Sequence, residues 1–169
     1  MKNYLLKFKT ADKSPARNTL EFSFYSGLGG LLAISIIAVL SERTSIPLIM
    51  APFGASCVLA FGVPDSPLAQ PRNILGGHLI SSLIGVLCYS ILGNSWYSLA
   101  IGVGLAIFIM QLTQTTHPPA GADPLVIILA GASWKFLINP VLSGSLILVV
   151  VALIFNNIHS KRKYPKYWK

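Results

Sequence analysis

Charged side chains are scarce in this sequence. They make up 11% of its 169 residues, whereas 53% of the residues are hydrophobic. A soluble domain carries about 25% charged residues, so this composition excludes a soluble globular domain and indicates an integral membrane protein. At about 20 residues per membrane span, the chain has room for one all-α domain of roughly four to six membrane segments.

Acidic residues are the rarer of the two charges, 5 against 13 basic residues, which leaves a net charge of +8. The basic residues concentrate at the two ends of the chain, which argues against nucleic acid as the partner. Basic tails beside membrane segments follow the positive-inside rule and favour contact with anionic lipid head groups. We predict cytoplasmic tails at 1–21 and 159–169 and a transmembrane domain at 22–158 in the inner, or plasma, membrane. Two tails on one side require an even number of crossings.

Cysteine is also rare. Cys57 and Cys88 lie in apolar surroundings, which gives no disulfide framework and no metal-type spacing, so we expect no metal and no cofactor. The basic N-terminal stretch lacks an immediate apolar core and a small-residue cleavage site. It is typical of a retained tail rather than of a cleaved signal peptide.

The apolar runs differ in length. Long runs are predicted near residues 22–40, 74–92, 99–112 and 140–158, with a short polar turn at 41–45. Two runs, at 46–62 and 120–132, are short for a membrane crossing, and prolines interrupt the first and precede the second. The sequence therefore predicts a polytopic helical bundle whose short segments are broken or re-entrant.

The two short runs resemble each other. The stretch 52–56 (PFGAS) matches 119–123 (PAGAD) at an offset of 67 positions. The chain thus reads as two repeats of three segments, each in the order long, short, long. Two full crossings by the short segments would give six crossings and inverted repeats, whereas re-entrant segments would give four crossings and parallel repeats. We favour six helical segments, two of them broken.

Prolines favour helix starts inside the membrane, at Pro52 and at Pro118–Pro119. A helix start presents backbone N–H groups and the positive end of the helix dipole, and glycine lets a ligand approach closely. Two such starts facing each other would form a site for a small anion with little formal charge. The predicted binding residues are Gly54, Ala55, Ser56, Arg72, Asn73, His78, Thr115, Thr116, His117, Gly121 and Ala122.

Asp123 is an obstacle to this site, because a carboxylate repels an anion unless it is protonated, paired with Arg72 or capping its helix. Its ionisation could instead serve proton coupling, and His117, whose ordinary pKa is near neutral, is the second candidate for that role. The alternatives are structural: Arg72 as an interface anchor, His78 as a packed histidine, and 114–124 as a solvent loop.

At these residues the chain resembles the HPP family of integral membrane proteins, named for the motif seen here as His117-Pro118-Pro119. The resemblance also covers 52–56, the stretch 64–73 (PDSPLAQPRN) and the stretch 76–78 (GGH). It implies a bundle usually described as having four transmembrane helices, and a link to nitrite transport.

The preferred interpretation is a transporter or channel for a small monovalent anion such as nitrite, assembled as a homo-oligomer. One alternative is a non-catalytic membrane subunit that needs a partner. The other is a membrane enzyme with His117 as acid or base and Asp123 as its partner. The enzyme is disfavoured because the sequence has no nucleophile elbow, metal cluster or phosphate loop.

Overall fold

The computed structural model describes residues 2–168 and is built from helices. Helices α1 and α2 span Lys2–Leu6 and Leu20–Thr44, α3 spans Pro52–Cys57 with a π turn at Val58–Gly62, α4 spans Pro71–Leu92 and α5 spans Trp96–Leu112. Short 3-10 helices occupy Pro67–Ala69 and Pro118–Ala122, the latter leading into α6 at Asp123–Ala130. A 3-10 turn at Trp134–Leu137 and a π turn at Ile138–Leu142 lead into α7 at Ser143–Ile158. No strand occurs between residues 2 and 168, as the sequence predicts.

Three helices of the described chain are long and apolar enough to cross a membrane: Leu20–Thr44, Pro71–Leu92 and the stretch Trp134–Ile158. Helix α5 is also apolar but has 17 residues. Two further apolar helices are shorter, Pro52–Gly62 and Pro118–Ala130. We call these the first and second half-helix. The predicted helical membrane bundle, with long apolar helices and shorter ones, is confirmed.

Some helix boundaries differ from the prediction. Helix α2 continues into the predicted polar turn at 41–45 as far as Thr44, whose hydroxyl donates to the carbonyl oxygen of Leu40, one turn earlier, at 2.6 Å. It ends at Ser45, whose left-handed backbone (φ 55°) stops the helix. Helices α4 and α5 begin three residues earlier than predicted, at Pro71 and Trp96.

Both ends of the membrane domain lie at one end of the bundle. The Tyr25 hydroxyl donates to the carbonyl oxygen of Phe155 at 2.6 Å, which places the start of α2 beside the end of α7. His159 also lies 3.6 Å from the Glu21 carboxylate. We call this the tail end of the bundle.

The first short segment returns toward the tail end along α2. Near its beginning, the backbone N–H of Leu48 donates to Ser41 of α2 at 3.2 Å. Near its end, the Phe61 ring packs against Gly29 of α2. Ser41 and Gly29 are separated by about 18 Å along the helix axis, at about 1.5 Å per residue.

The second short segment runs in the opposite direction, along α4. At the tail end, Arg72 near the start of α4 donates to the carbonyl oxygen of Thr113 at 3.0 Å. At the far end, Gly131 lies against the hydroxyl of Tyr89. Arg72 and Tyr89 are separated by about 26 Å along α4, close to the ~30 Å hydrocarbon thickness of a bilayer.

Each short segment therefore runs through the bundle as a non-helical stretch, 45–51 or 113–117, followed by a half-helix. The six segments alternate in direction, as in the six-segment interpretation with two broken helices. A re-entrant segment would return to the end at which it began, and neither short segment does so.

The C-terminal tail packs against the bundle. The Tyr164 side chain is buried, and its hydroxyl donates to the carbonyl oxygen of Ala69 at 2.7 Å. Lys166 pairs with Asp65 at 2.8 Å, and its backbone N–H donates to Gln70 at 2.7 Å. The tail thus holds the connector that precedes α4.

Candidate functional site

Four polar side chains meet in the apolar core where the two broken segments cross. The Ser56 hydroxyl oxygen lies 2.8 Å from Nε2 of His78 and 2.8 Å from Nε2 of His117. Nδ1 of His78 lies 2.8 Å from Oδ2 of Asp123. All four residues are 0% exposed. We call this set, Ser56, His78, His117 and Asp123, the buried cluster.

Local sequence rules position each member. Ser56 lies one turn into the first half-helix, which Pro52 opens, and Asp123 is the first residue of α6. His117 ends the non-helical stretch before the second half-helix, because the proline after it disfavours helical backbone. His78 projects from α4, which packs beside both half-helices. Three separate elements thus deliver one cluster.

His117 is held from two sides. Its Nδ1 lies 2.8 Å from the carbonyl oxygen of Leu68, in the connector before α4. Its Cβ lies so close to Gly77 that a Cβ added there would be 2.7 Å away. Glycine is therefore the residue that lets α4 approach the motif.

Asp123 pairs with His78 and not with Arg72 or His117, which corrects the partners considered from the sequence. Its Oδ2 also accepts a hydrogen bond from the Ser82 hydroxyl at 3.1 Å. Its buried Oδ1 has no hydrogen-bond partner among the described residues. An unpartnered oxygen in this core is costly for a carboxylate, which needs compensation for lost water.

A second group of predicted residues lies toward the tail end. The Asn73 amide donates to the carbonyl oxygen of Thr116 at 2.9 Å and accepts from the Tyr167 hydroxyl at 3.1 Å. Thr115 is buried, with its hydroxyl 2.8 Å from that of Thr113. Arg72, half-buried, binds a backbone carbonyl here rather than the buried cluster. These residues tie the approach to the HPP motif onto α4.

The small residues of the half-helices face elsewhere. Gly54 and Ala55 are exposed, and Gly121 and Ala122 are half-buried on the outer side of the second half-helix. Ala55 and Ala122 line a groove of about 640 Å³ between the half-helix starts whose walls are apolar. The predicted single site is thus divided between this groove and the buried cluster.

The half-helix starts offer fewer free donors than predicted. The N–H groups of Phe53 and Gly54 donate to carbonyl oxygens of the preceding turn at 3.0 and 3.1 Å. The N–H of Ala120 donates to the carbonyl oxygen of His117 at 3.0 Å. An anion at these starts would have to compete with those carbonyls, so the polar chemistry resides mainly in the buried cluster.

Sequence reasoning missed several contributors. Ser81 donates to the carbonyl oxygen of Ala120 at 2.6 Å, and Ser82 donates to Asp123. Ser81 and Ser82 follow His78 by three and four residues, which places all three on one side of α4. This spacing is the sequence pattern from which their proximity to His78 could have been predicted. The role of the Leu68 carbonyl oxygen could not be predicted from the sequence, because every residue carries a backbone carbonyl.

Fold and site together define a helical membrane protein in which two broken helices meet at a buried polar cluster. The chain belongs to the HPP family: the family's transmembrane region matches residues 15–165. A transmembrane protein of Dictyostelium discoideum is 38% identical over 177 residues, covering 98% of this chain and 57% of the relative. A second from that organism is 37% identical over 169 residues, covering 93% of this chain and 59% of the relative. The chain thus spans less than two thirds of either relative, and no solved structure matches it.

Proposed function

We propose that this protein transports a small monovalent anion across the membrane, with nitrite as the first candidate. The main observation behind this proposal is the buried cluster. His78, His117 and Asp123 are 0% exposed and lie where the two broken segments cross. Ionisable residues within membrane segments are costly and mark ion or proton pathways. The family resemblance at the HPP motif supports nitrite among the small anions.

We also propose that the two halves are inverted repeats. Gly77 packs against the carbonyl oxygen of Thr115, and Gly144 packs against that of Leu48. Residues 77 and 144, like 48 and 115, differ by the offset of 67 found in the sequence. The same kind of contact thus occurs twice. In one case the glycine comes from the first half and the carbonyl from the second, and in the other case the reverse holds.

A second pair of contacts supports the repeat. Gly29 of α2 packs against Phe61 and Phe155, and Gly102 of α5 packs against Ile128 and Cys88. Phe61 and Ile128, like Cys88 and Phe155, differ by the same 67 positions, whereas Gly29 and Gly102 differ by 73, so α2 and α5 correspond at a different offset. Inverted repeats with broken helices favour alternating access, in which one half rocks against the other around a fixed site.

The buried cluster is closed off from solvent, so transport requires such a movement. Arg72, near the tail end, is positioned to attract an anion toward the approach to the HPP motif. We propose that the anion binds between the apolar groove and the buried cluster when the half-helices separate. The half-helix dipoles and His117 would then contribute favourable interactions.

We further propose a plasma-membrane location with both basic tails cytoplasmic, and assembly as a homo-oligomer. The shared tail end and the positive-inside rule support the orientation. An apolar groove between α2 and the first half-helix, lined by Gly27, Gly30 and Gly54 among others, supports close packing of a second copy.

Liposome flux tests the proposal. The purified protein, reconstituted in liposomes, is expected to take up nitrite, with nitrate, formate and chloride as competitors. His117→Ala should abolish uptake, whereas Ser145→Ala, a buried serine outside the cluster, should retain it. No flux of any anion through folded protein would refute transport and favour a subunit that needs a partner.

One observation favours a second function. Ser56, His78 and Asp123 have the order of contacts found in a serine hydrolase triad, with hydroxyl to Nε2 and Nδ1 to carboxylate. Against hydrolysis, Ser56 is 0% exposed and shares its hydroxyl with a second histidine. We therefore propose that the protein is not an enzyme. Labelling of Ser56 by a fluorophosphonate, lost in His78→Ala, would reverse that proposal.

A further inference from the structure

The single hydrogen of the Ser56 hydroxyl limits how protons are distributed in the buried cluster. Its oxygen lies 2.8 Å from Nε2 of His78 and 2.8 Å from Nε2 of His117. The hydroxyl also lies 3.3 Å from the carbonyl oxygen of Pro52, a longer contact than that to either ring, and it can donate to only one of the two rings. The other ring must donate to the Ser56 oxygen, and it therefore carries hydrogen at its own Nε2.

The outer nitrogens restrict the arrangement further. Nδ1 of His117 faces the carbonyl oxygen of Leu68 at 2.8 Å, and because a carbonyl only accepts, this nitrogen carries hydrogen. Nδ1 of His78 faces Asp123 at 2.8 Å, and it either donates to a carboxylate or accepts from a carboxyl group. Suppose that Asp123 were ionised and both rings neutral. Two bare Nε2 atoms would then compete for one hydrogen.

We propose that the buried cluster holds one proton more than an ionised Asp123 with two neutral histidines, and that this proton moves between Asp123 and His117. The cluster is then electrically neutral, which suits an apolar core. With the Ser56 hydroxyl donating to a ring rather than to the more distant Pro52 carbonyl, three arrangements satisfy the four contacts at 2.8 Å. The proton lies on the Asp123 carboxyl, on His78 as an imidazolium, or on His117 as an imidazolium.

The steps between these arrangements follow existing hydrogen bonds. In the first, the O–H bond of Asp123 breaks and an N–H bond forms at Nδ1 of His78. In the second, the Nε2–H bond of His78 breaks as its proton passes to the Ser56 oxygen, while the original Ser56 proton passes to Nε2 of His117. Ser56 is thus the positioning residue that joins the two rings, and rotation of its hydroxyl resets the path.

No other ionisable side chain within residues 2–168 forms a hydrogen bond or ion pair with these four. On α4, Arg72 binds the carbonyl oxygen of Thr113. On the first half-helix, Cys57 is a free, buried thiol. From the tail, the Tyr164 hydroxyl is engaged by the carbonyl oxygen of Ala69. Helices α5 and α7 bring no ionisable group to it. The net charge at this place in the core therefore changes only when the buried cluster gains or loses its proton.

The consequence for transport rests on the proposed function. An anion that enters with the cluster's proton carries no net charge across the membrane, so uptake should be electroneutral and driven by a pH gradient. The proton count itself does not depend on transport, which allows the two to be tested separately.

Nitrogen-15 NMR of the full-length protein in lipid bilayers tests the proton count at neutral pH. His78→Gln and His117→Gln assign the signals, and His159 serves as the reference outside the cluster. We expect at least one cluster histidine to carry hydrogen at Nε2. Two neutral rings protonated only at Nδ1 would overturn the proposal, because neither ring could then donate to the Ser56 oxygen.

Nitrite uptake into liposomes, with an internal pH dye and a potassium–valinomycin potential, tests the coupling. We expect nitrite uptake to acidify the liposome interior, and we expect the uptake rate to be independent of the membrane potential. Ser56→Ala should lower pH-driven uptake on the order of 100-fold, the scale of a positioned proton transfer. Ser56→Thr should restore the uptake, and Ser145→Ala should leave it unchanged.

The outcomes separate the two proposals. Potential-driven nitrite uptake without acidification would overturn proton coupling and leave anion transport standing. Absence of uptake by folded wild-type protein would overturn anion transport, and the NMR result would still decide the proton count.

Discussion

Replacing Gly77 with alanine should loosen the attachment of the HPP motif to α4. A Cβ at this position would lie 2.7 Å from the Cβ of His117 and 3.0 Å from the carbonyl oxygen of Thr115. Both atoms belong to or adjoin the backbone, so neither can rotate away as the end of a flexible side chain could. The helix or the motif must shift.

The structure sets the scale of this effect. Overpacking of a well-packed core typically costs about 1–3 kcal/mol, and this contact lies in that regime. For a chain of this size, each kcal/mol lowers the melting temperature by about 2–4 °C. Gly104→Ala is the matched control, because nothing lies within 4 Å of a Cβ there. Removing a helical glycine at an open position stabilises by up to about 1 kcal/mol.

A thiol-reactive dye provides the assay, because both cysteines, Cys57 and Cys88, are buried and become reactive on unfolding. Purified Gly77→Ala should melt several degrees below wild type and Gly104→Ala at or above it. Equal melting of Gly77→Ala and wild type would refute the close packing of α4 against the motif. Gly144→Ala should also melt below wild type, because a Cβ there would overlap the carbonyl oxygen of Leu48 and the ring of Phe53.

Three further changes test other parts of the structure. Asp123→Asn should lower nitrite uptake and flatten its pH dependence, because the amide cannot exchange a proton with His78; an unchanged pH profile in liposomes would contradict this. Arg162→Gln should destabilise the protein by about 2 kcal/mol, because it removes a half-buried guanidinium that donates hydrogen bonds to Phe61, Asn156 and Ser26. Equal melting temperatures of this variant and wild type would exclude that role. Burial raises the pKa of Tyr164 above its ordinary value, so its stabilising effect is complete below about pH 10 and is lost as pH rises through the raised pKa. Alkaline melting curves should show this loss in wild type and not in a Tyr164→Phe protein, and identical curves would argue against it.

Composition and apolar run length were sufficient to predict a helical membrane bundle with two short segments. Those properties are local: charge cost in lipid and helix length per span act on each segment alone. Pro52 and Pro118–Pro119 predicted the two half-helix starts for the same reason, because proline restricts its own neighbourhood in any fold.

Only the tertiary structure decided which polar residues meet. Asp123 could have paired with Arg72 or capped its helix, and the arrangement of α4 against both half-helices selected His78 instead. The sequence grouped the half-helix glycines with the histidines, whereas helix rotation turned Gly54 outward and Ser56 inward.

The direction of the short segments was likewise undecided in the sequence, because four and six crossings are both even. Contacts between residues far apart in the chain, such as Phe61 with Gly29 and Gly131 with Tyr89, determine it. Short-range propensity specifies which segments form helices. The partners of each buried polar group follow from long-range packing, since burial makes an unpaired group costly and the fold determines which groups come within reach.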